Sequence, residues 1–238
     1  RPSGASANLS EFEEPLSLLL PAVIDGSLVG IYRLEADGKL KYVGGVNGDG
    51  KLAADVREPG RYAVLAYEKQ FADLPDSHWA SGQVKQLAAR QLITGVSLDS
   101  FEPARSITRS EFTTLLVRLL DLQEAATVDF ADVNPNAWYA HDVALAVRAG
   151  IVQGAGGAKF APNASITRQE MAAMIVRAYE YKTGVIAADN ESTEFADIDA
   201  APGWAQAAIR KANALGVGEG RSKTKFGPLE NGTRAEGA

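Results

Sequence analysis

The sequence predicts a mainly α-helical chain of three helix-loop-helix repeats, preceded by a small β-rich module. Three observations predict it. One set of motifs returns three times between residues 71 and 238. Apolar residues at helical spacing follow two fixed points of each return. Residues 1–70 carry none of these motifs and hold short alternating segments and Asp-Gly turns instead. The expected boundaries are 1–70 for the β-rich module or tail of a larger β domain, then 71–129, 130–194 and an incomplete 195–238 for the repeats.

Residues 1–14, with Ser, Asn and Glu, read as a loose leader. Ser27–Glu35, Lys39–Gly44 and Arg61–Tyr67 are short, partly alternating and rich in Val, Tyr, Leu and Ile, which predicts strands. Asp37-Gly38 and Asp49-Gly50 are hairpin signals, because both residue types tolerate the positive φ that tight turns require. Asn47-x-Asp49-Gly50 echoes part of a calcium loop, but Gly45 stands where the first acid is needed, so a hairpin turn is the better reading. A segment of this size buries a modest core. It is either a module in itself or the last strands of a larger sandwich.

Each repeat opens on Phe-Ala-Asp, at Phe71, Phe130 and Phe195, and reaches Trp79, Trp138 or Trp204 eight or nine residues later. A glycine follows each Trp by 16 residues: Gly95, Gly154 and Gly220. Six residues on comes Phe101, Phe160 or Phe226, then Pro103, Pro162 or Pro228. Thr-Arg-x-Glu closes the set at Thr108, Thr167 and Thr233. The first helix of each repeat is read from stripes such as Ala80, Val84, Leu87 and Ala88. The second starts at the Thr, because Thr-x-x-Glu is a capping box. Its stripe is Phe112, Leu115, Leu116, Leu119 and Leu120 in the first repeat, and Met171, Met174, Ile175, Ala178 and Tyr179 in the second. The third runs about one turn to Ala238, and is expected to be frayed or an ordered stub.

Composition narrows the function. The chain has 238 residues, a net charge of −6, no cysteine and two histidines. An acidic balance argues against bulk nucleic-acid binding. The lack of cysteine excludes thiol nucleophiles, disulfides and Cys-ligated metal, and His78 and His141 leave little for a histidine metal site. No apolar run approaches the length of a membrane span. There is no P-loop, dinucleotide fingerprint or Gly-x-Ser-x-Gly elbow. Arg1 is no initiator and no basic-then-apolar leader follows it, so the chain reads as a piece of a longer or processed protein.

The motifs Phe-x-Asp, Trp-Ala, Gly-x5-Phe-x-Pro and Ile-Thr-Arg-x-Glu-Phe, in three copies over residues 71–238, closely resemble the S-layer homology family. The resemblance implies pseudo-threefold symmetry, with one helix of each repeat in a central bundle. It implies anchoring of a bacterial surface protein, extracellularly, to a secondary polysaccharide of the Gram-positive wall. That ligand often carries pyruvate ketals on N-acetylmannosamine and lies in grooves between repeats. Arg109, Arg168 and Arg234 would meet the ketal carboxylate, with Trp79, Trp138 and Trp204 and the amides at Gly95, Gly154 and Gly220 helping. No cofactor, metal or catalytic residue is implied, while S-layer neighbours are possible partners. The third repeat departs from the pattern. It has Gly232 in place of Ile107 and Ile166, and one extra residue before Trp204.

The residues support this chemistry and also plainer readings. An Arg at the first position of a capped helix sits beside unpaired amides, and its planar fork fits a carboxylate. It could equally pair with an acid of the next repeat. Glu111, Glu170 and Glu236 are read as cap residues rather than hydrolytic acids. Asp73, Asp132 and Asp197 are expected to bond loop amides, with a sugar contact as the second reading. The tryptophans suit either a sugar face or packing. The three loop glycines are expected to supply positive φ. A non-catalytic anchoring module is the reading that results. The alternatives are the C-terminal part of a surface glycoside hydrolase, whose acid pair is not visible in residues 1–70, and a lattice-assembly module.

Overall fold

The computed structural model describes residues 11–22, 26–124, 126–189 and 193–238. The first ten residues of the expected leader lie outside that range. The chain divides into two compact units, residues 1–101 and residues 102–237.

The first unit holds six strands: β1 (Leu16–Pro21), β2 (Val29–Leu34), β3 (Leu40–Gly44), β4 (Val46–Gly48), β5 (Lys51–Val56) and β6 (Arg61–Ala66). They form two antiparallel sheets, ordered β1-β5-β4 and β3-β2-β6. The register runs from Leu16 opposite Val56 to Pro21 opposite Lys51 in one sheet, and from Val29 opposite Ala66 to Leu34 opposite Arg61 in the other. Alternate residues of β5, namely Leu52, Ala54 and Val56, bury themselves with Ile31 of β2, and Leu18, Leu20, Val43 and Val64 pack around them. Asp49 and Gly50 take φ of 52° and 72°, two successive left-handed residues that let β4 turn tightly into β5.

Helix α1 (Ser81–Ala89) belongs to this unit. The buried Tyr32 of β2 donates its hydroxyl to the Ala89 carbonyl at 2.6 Å. Gln91, left-handed at φ 58°, accepts from the Tyr42 amide at 2.7 Å and donates to the Leu40 carbonyl at 2.6 Å. The helix end is thereby fastened to strand β3 through one side chain.

The second unit contains α2 (Arg109–Leu120), α3 (Ala140–Arg148), α4 (Arg168–Thr183), α5 (Gly203–Ala214) and α6 (Arg234–Gly237). Helices α2 and α4 open on the expected boxes. The Glu111 carboxylate accepts from the Thr108 amide at 2.9 Å, and Glu170 from the Thr167 amide at 2.8 Å. Helix α2 is buried from Phe112 through Val117, so it is enclosed on all sides rather than along one stripe, while Leu119 of the expected stripe is 51% exposed. Residues 234–237 form a single helical turn with Arg234 and Ala235 buried.

A closed ring of backbone bonds ties the three helix starts together. The Ile107 amide donates to the Gly232 carbonyl, the Gly232 amide to Ile166, and the Ile166 amide to Ile107, at 3.0, 2.9 and 3.1 Å. The ring explains why the third repeat lacks isoleucine. A Cβ on Gly232 would lie 2.0 Å from the Met171 sulfur, so the room an isoleucine needs is already filled. Gly237, at the position of Phe112 and Met171, likewise faces Ile107, Phe112 and Met171.

The expectation of a mainly α fold is wrong. Helix makes up 30% and strand 18%, with six short helices and two antiparallel sheets among the described residues. The physical reason lies in the repeats as much as in the lead. Each repeat spends a long stretch, such as Arg90–Thr108, on loop that is held by side-chain and bridging bonds rather than by helix. The lead also contains twice the strands that its alternation suggested.

Candidate functional site

The motif arginines start their helices, and each helix directs its arginine to another repeat, the following one for Arg109 and Arg168 and the first for Arg234. Arg109 is 7% exposed. Its Nε donates to the Phe160 carbonyl at 2.9 Å, Nη1 to Glu170 at 2.7 Å and Nη2 to the Gln153 carbonyl at 3.1 Å. Its guanidinium carbon lies 5.1 Å from the centre of the Phe160 ring. Arg168 repeats the pattern one step on. Its partners are the Phe226 carbonyl at 2.9 Å, Glu236 at 2.6 Å and the Glu219 carbonyl at 2.6 Å, with the Phe226 ring 4.7 Å away. Arg234 is also buried and stands 3.5 Å from Glu111. The capping glutamate of each repeat is therefore also the counter-ion of another repeat's arginine: 109 to 170, 168 to 236, 234 to 111.

Burial lowers the pKa of Arg168, and Glu236 works against that shift. Burial pushes the Glu111 carboxyl up, but Arg105 at 2.6 Å and the Thr108 amide overcome it and hold the group below its ordinary value. The Phe160 amide likewise holds Asp132 low.

The other sequence-selected residues fall into two groups, one turned into its own repeat and one turned to solvent. The aspartates face inward. Asp73 accepts from the Phe101 amide at 2.8 Å and the Ser100 hydroxyl at 2.7 Å, and Asp132 accepts from the Phe160 and Ala161 amides, both at 2.8 Å. Asp197 holds Phe226 and Gly227 in the same way. The tryptophans face outward: Trp79, Trp138 and Trp204 are 65%, 63% and 50% exposed, so they are not core. His78 stacks on Trp79 at 5.6 Å, and Tyr139 stands edge-on to Trp138 at 5.3 Å.

The glycines correct an expectation. Gly95, Gly154 and Gly220 do not take the positive φ assigned to them. They are needed for close approach. A Cβ would meet the ring of Phe71 at 2.6 Å, of Phe130 at 3.0 Å and of Phe195 at 2.4 Å respectively. The Phe that opens each repeat thus lies flush against the glycine of its own loop.

Sequence reading overlooked Arg105, Arg221 and Lys225. Arg105 and Arg221 add a second cation to Glu111 and Glu236, each at 2.6 Å, and Lys225 pairs with Glu230 at 2.9 Å. None belongs to the repeated motif, which is why repetition did not pick them out. Among the described residues no cluster of His, Asp and Glu is arranged to hold a metal ion, and no helix is long and apolar enough to cross a membrane.

The arrangement is that of a tandem-repeat module whose copies are clasped by arginine and whose surface offers tryptophan at equivalent places. Comparison with known proteins fits that class. Residues 70–113, 129–172 and 194–238 match the model of the S-layer homology domain, and the chain belongs to that family. It is 36% identical over 201 residues to an amylopullulanase of Thermoanaerobacterium thermosulfurigenes, covering 83% of this chain and 11% of that protein. It is 38% identical to an endoglucanase of Bacillus sp. (strain KSM-635), over 71% of this chain and 18% of the relative. An S-layer protein of Bacillus thuringiensis subsp. finitimus shares 32% over 74% of this chain and 21% of its own length. The chain thus spans less than a quarter of each of these relatives. What enzymes and S-layer proteins share with it is the anchoring segment, which is non-catalytic and associated with the wall at the cell surface.

Proposed function

We propose that this chain anchors its parent protein to a Gram-positive cell wall by binding an acidic secondary polysaccharide, of the pyruvate-ketal N-acetylmannosamine type. The binding places are the grooves where Arg109 and Arg168 enter the next repeat. The observation that carries this reading is the exposure of three tryptophans at equivalent positions. An indole half or more in water gains by laying its face on a sugar ring while its N–H serves a hydroxyl. Each guanidinium has five N–H donors and three are engaged within the protein. Both side chains are a tenth exposed or less, so a ketal carboxylate would meet the narrow open edge of each guanidinium. Gly154 and Gly220 follow the residues whose carbonyls the arginines hold, Gln153 and Glu219, and would offer their loop amides there. Asp132 serves the site by fixing the loop of Gly154. Within the first repeat Asp73, Trp79 and Gly95 are given the roles of their counterparts, and within the third Arg234 is given that of Arg168, each taken by itself.

The test is sedimentation with purified wall, carrying the polysaccharide or stripped of it, followed by calorimetry with the pyruvylated and ketal-free monosaccharides. Binding should require the polysaccharide and favour the ketal. Because Trp138 and Trp204 are exposed, Trp138→Ala, Trp204→Ala should leave folding intact and weaken binding about tenfold or more, tenfold being 1.4 kcal/mol. Equal binding to stripped wall, or equal affinity for the two sugars, overturns the reading.

A further inference from the structure

The loops that follow the three glycines differ in their first residue, which is Val96, Ala155 and Arg221 in turn. Arg221 converges with Arg168 on one carboxylate. Arg168 Nη1 and Arg221 Nη1 both lie 2.6 Å from the same oxygen of Glu236. The two cations differ in access. The Arg168 side chain is 10% exposed and that of Arg221 is 36% exposed. Arg221 is steadied from its other side by Glu230 at 3.0 Å, and Lys225 shares that acid. Glu236 thus neutralises two guanidiniums, whereas Glu170 has Arg109 as its one cation among the described residues. All three nitrogens of each cation are engaged, those of Arg221 by Glu230 and by both oxygens of Glu236, so it is the greater exposure of Arg221 that brings an incoming anion to it first.

Resting on the reading above, we infer that Arg221 is the specificity-determining residue of the Arg168 groove. It presents the reachable guanidinium for a saccharide carboxylate, and makes this groove the tighter of two. The Arg109 groove has Ala155 at that position and binds the same sugar more weakly. A guanidinium already oriented by two carboxylates loses little freedom when it takes up a third, and the N–H groups not used by Glu230 and Glu236 favour a charged carboxylate over a hydroxyl.

The experiment is calorimetry of the full chain with pyruvate-ketal N-acetylmannosamine and with N-acetylmannosamine itself, beside thermal unfolding. The unaltered chain should show a tighter and a weaker site for the ketal sugar. Arg221→Ala should weaken the tighter site about tenfold, Arg221→Lys should restore part of the loss, and Ala155→Arg should tighten the weaker site. The ketal-free sugar should bind Arg221→Ala as it binds the unaltered chain. Unchanged ketal affinity in Arg221→Ala, no gain in Ala155→Arg, or a loss of both sugars alike with a lowered unfolding midpoint each overturns the role of Arg221. Failure of the unaltered chain to distinguish the two sugars overturns the polysaccharide reading itself and this inference with it.

Discussion

Residues 1–101 and 102–237 use opposite materials to fix their shape. The first unit is organised by alternation: small aliphatic side chains of two facing sheets, and one buried phenol that reaches the end of a helix. The second is organised by charge. Three buried or nearly buried arginines each cross to the capping glutamate of another repeat, and three backbone bonds close a ring at the helix starts. A repeat unit cannot bury its own charged helix start, so it lends its arginine to a neighbour and borrows a carboxylate in return. The sheets need no such exchange, because their backbone groups are met by the adjacent strand.

The comparison is tested hardest by removing one clasp. Arg109→Ala strands the Phe160 and Gln153 carbonyls and leaves Glu170 without its cation, and should destabilise by about 3 kcal/mol. Urea unfolding of the full chain measures it. In a double-mutant cycle with Glu170→Gln the two losses should fall well short of adding, because both break the same pair. Full additivity would mean that the guanidinium acts through its carbonyl bonds alone, and charge would lose its place as the organising device.

A smaller effect separates the cap from the clasp. Thr108→Ala removes the hydroxyl that accepts from the Glu111 amide at 3.2 Å, and should cost about 0.5–2 kcal/mol. The Glu111 carboxylate keeps its bonds to Arg105 and to the residue 108 amide and so stays in place for Arg234, and that inter-repeat pair should survive. An unchanged urea midpoint would show that the ring, not the cap, sets where α2 begins.

These residues also show what was legible in the sequence. The capping boxes were, since a cap is local and its partner lies three residues away. The clasps were legible only as an alternative, because Arg109 and Glu170 are 61 residues apart and each already had a local explanation. The glycines pointed to the right positions for the wrong reason: a Cβ that would strike Phe130 leaves no trace in the turn chemistry around Gly154. The lead was half read. Val29–Leu34 and Arg61–Ala66 carry β-branched and aromatic residues, whereas β1 is a leucine run without alternation and β5 contains Ala-Ala-Asp. Those two strands exist because they pair with each other. The count of strands, missed in this way, and the length of the repeat loops together made the mainly α expectation fail.

The finest distinction between the units is in their response to pH. Glu111 lies below its ordinary value of 4.5 in the folded chain, so its contribution is full above about that pH and disappears as pH falls through the lowered value. Tyr32 runs the other way. Burial, followed by Tyr42 and Tyr67, raises it from 10.0 to about 12. A raised phenol stabilises the fold while it remains neutral, fully below pH 10 and progressively less as pH climbs toward 12. The arginine–glutamate pairs should therefore weaken in acid and the strand-bearing unit in alkali. Tyr32→Phe keeps the ring packing, loses the bond to Ala89 and should cost about 1 kcal/mol at neutral pH. It should also flatten the alkaline limb of the stability curve and leave the acid limb unchanged, while Glu111→Gln should do the reverse. Urea midpoints from pH 3 to 11 resolve both limbs. If Tyr32→Phe moves the acid limb as much as the alkaline one, the two units do not answer separately to charge and burial, and the contrast between them fails.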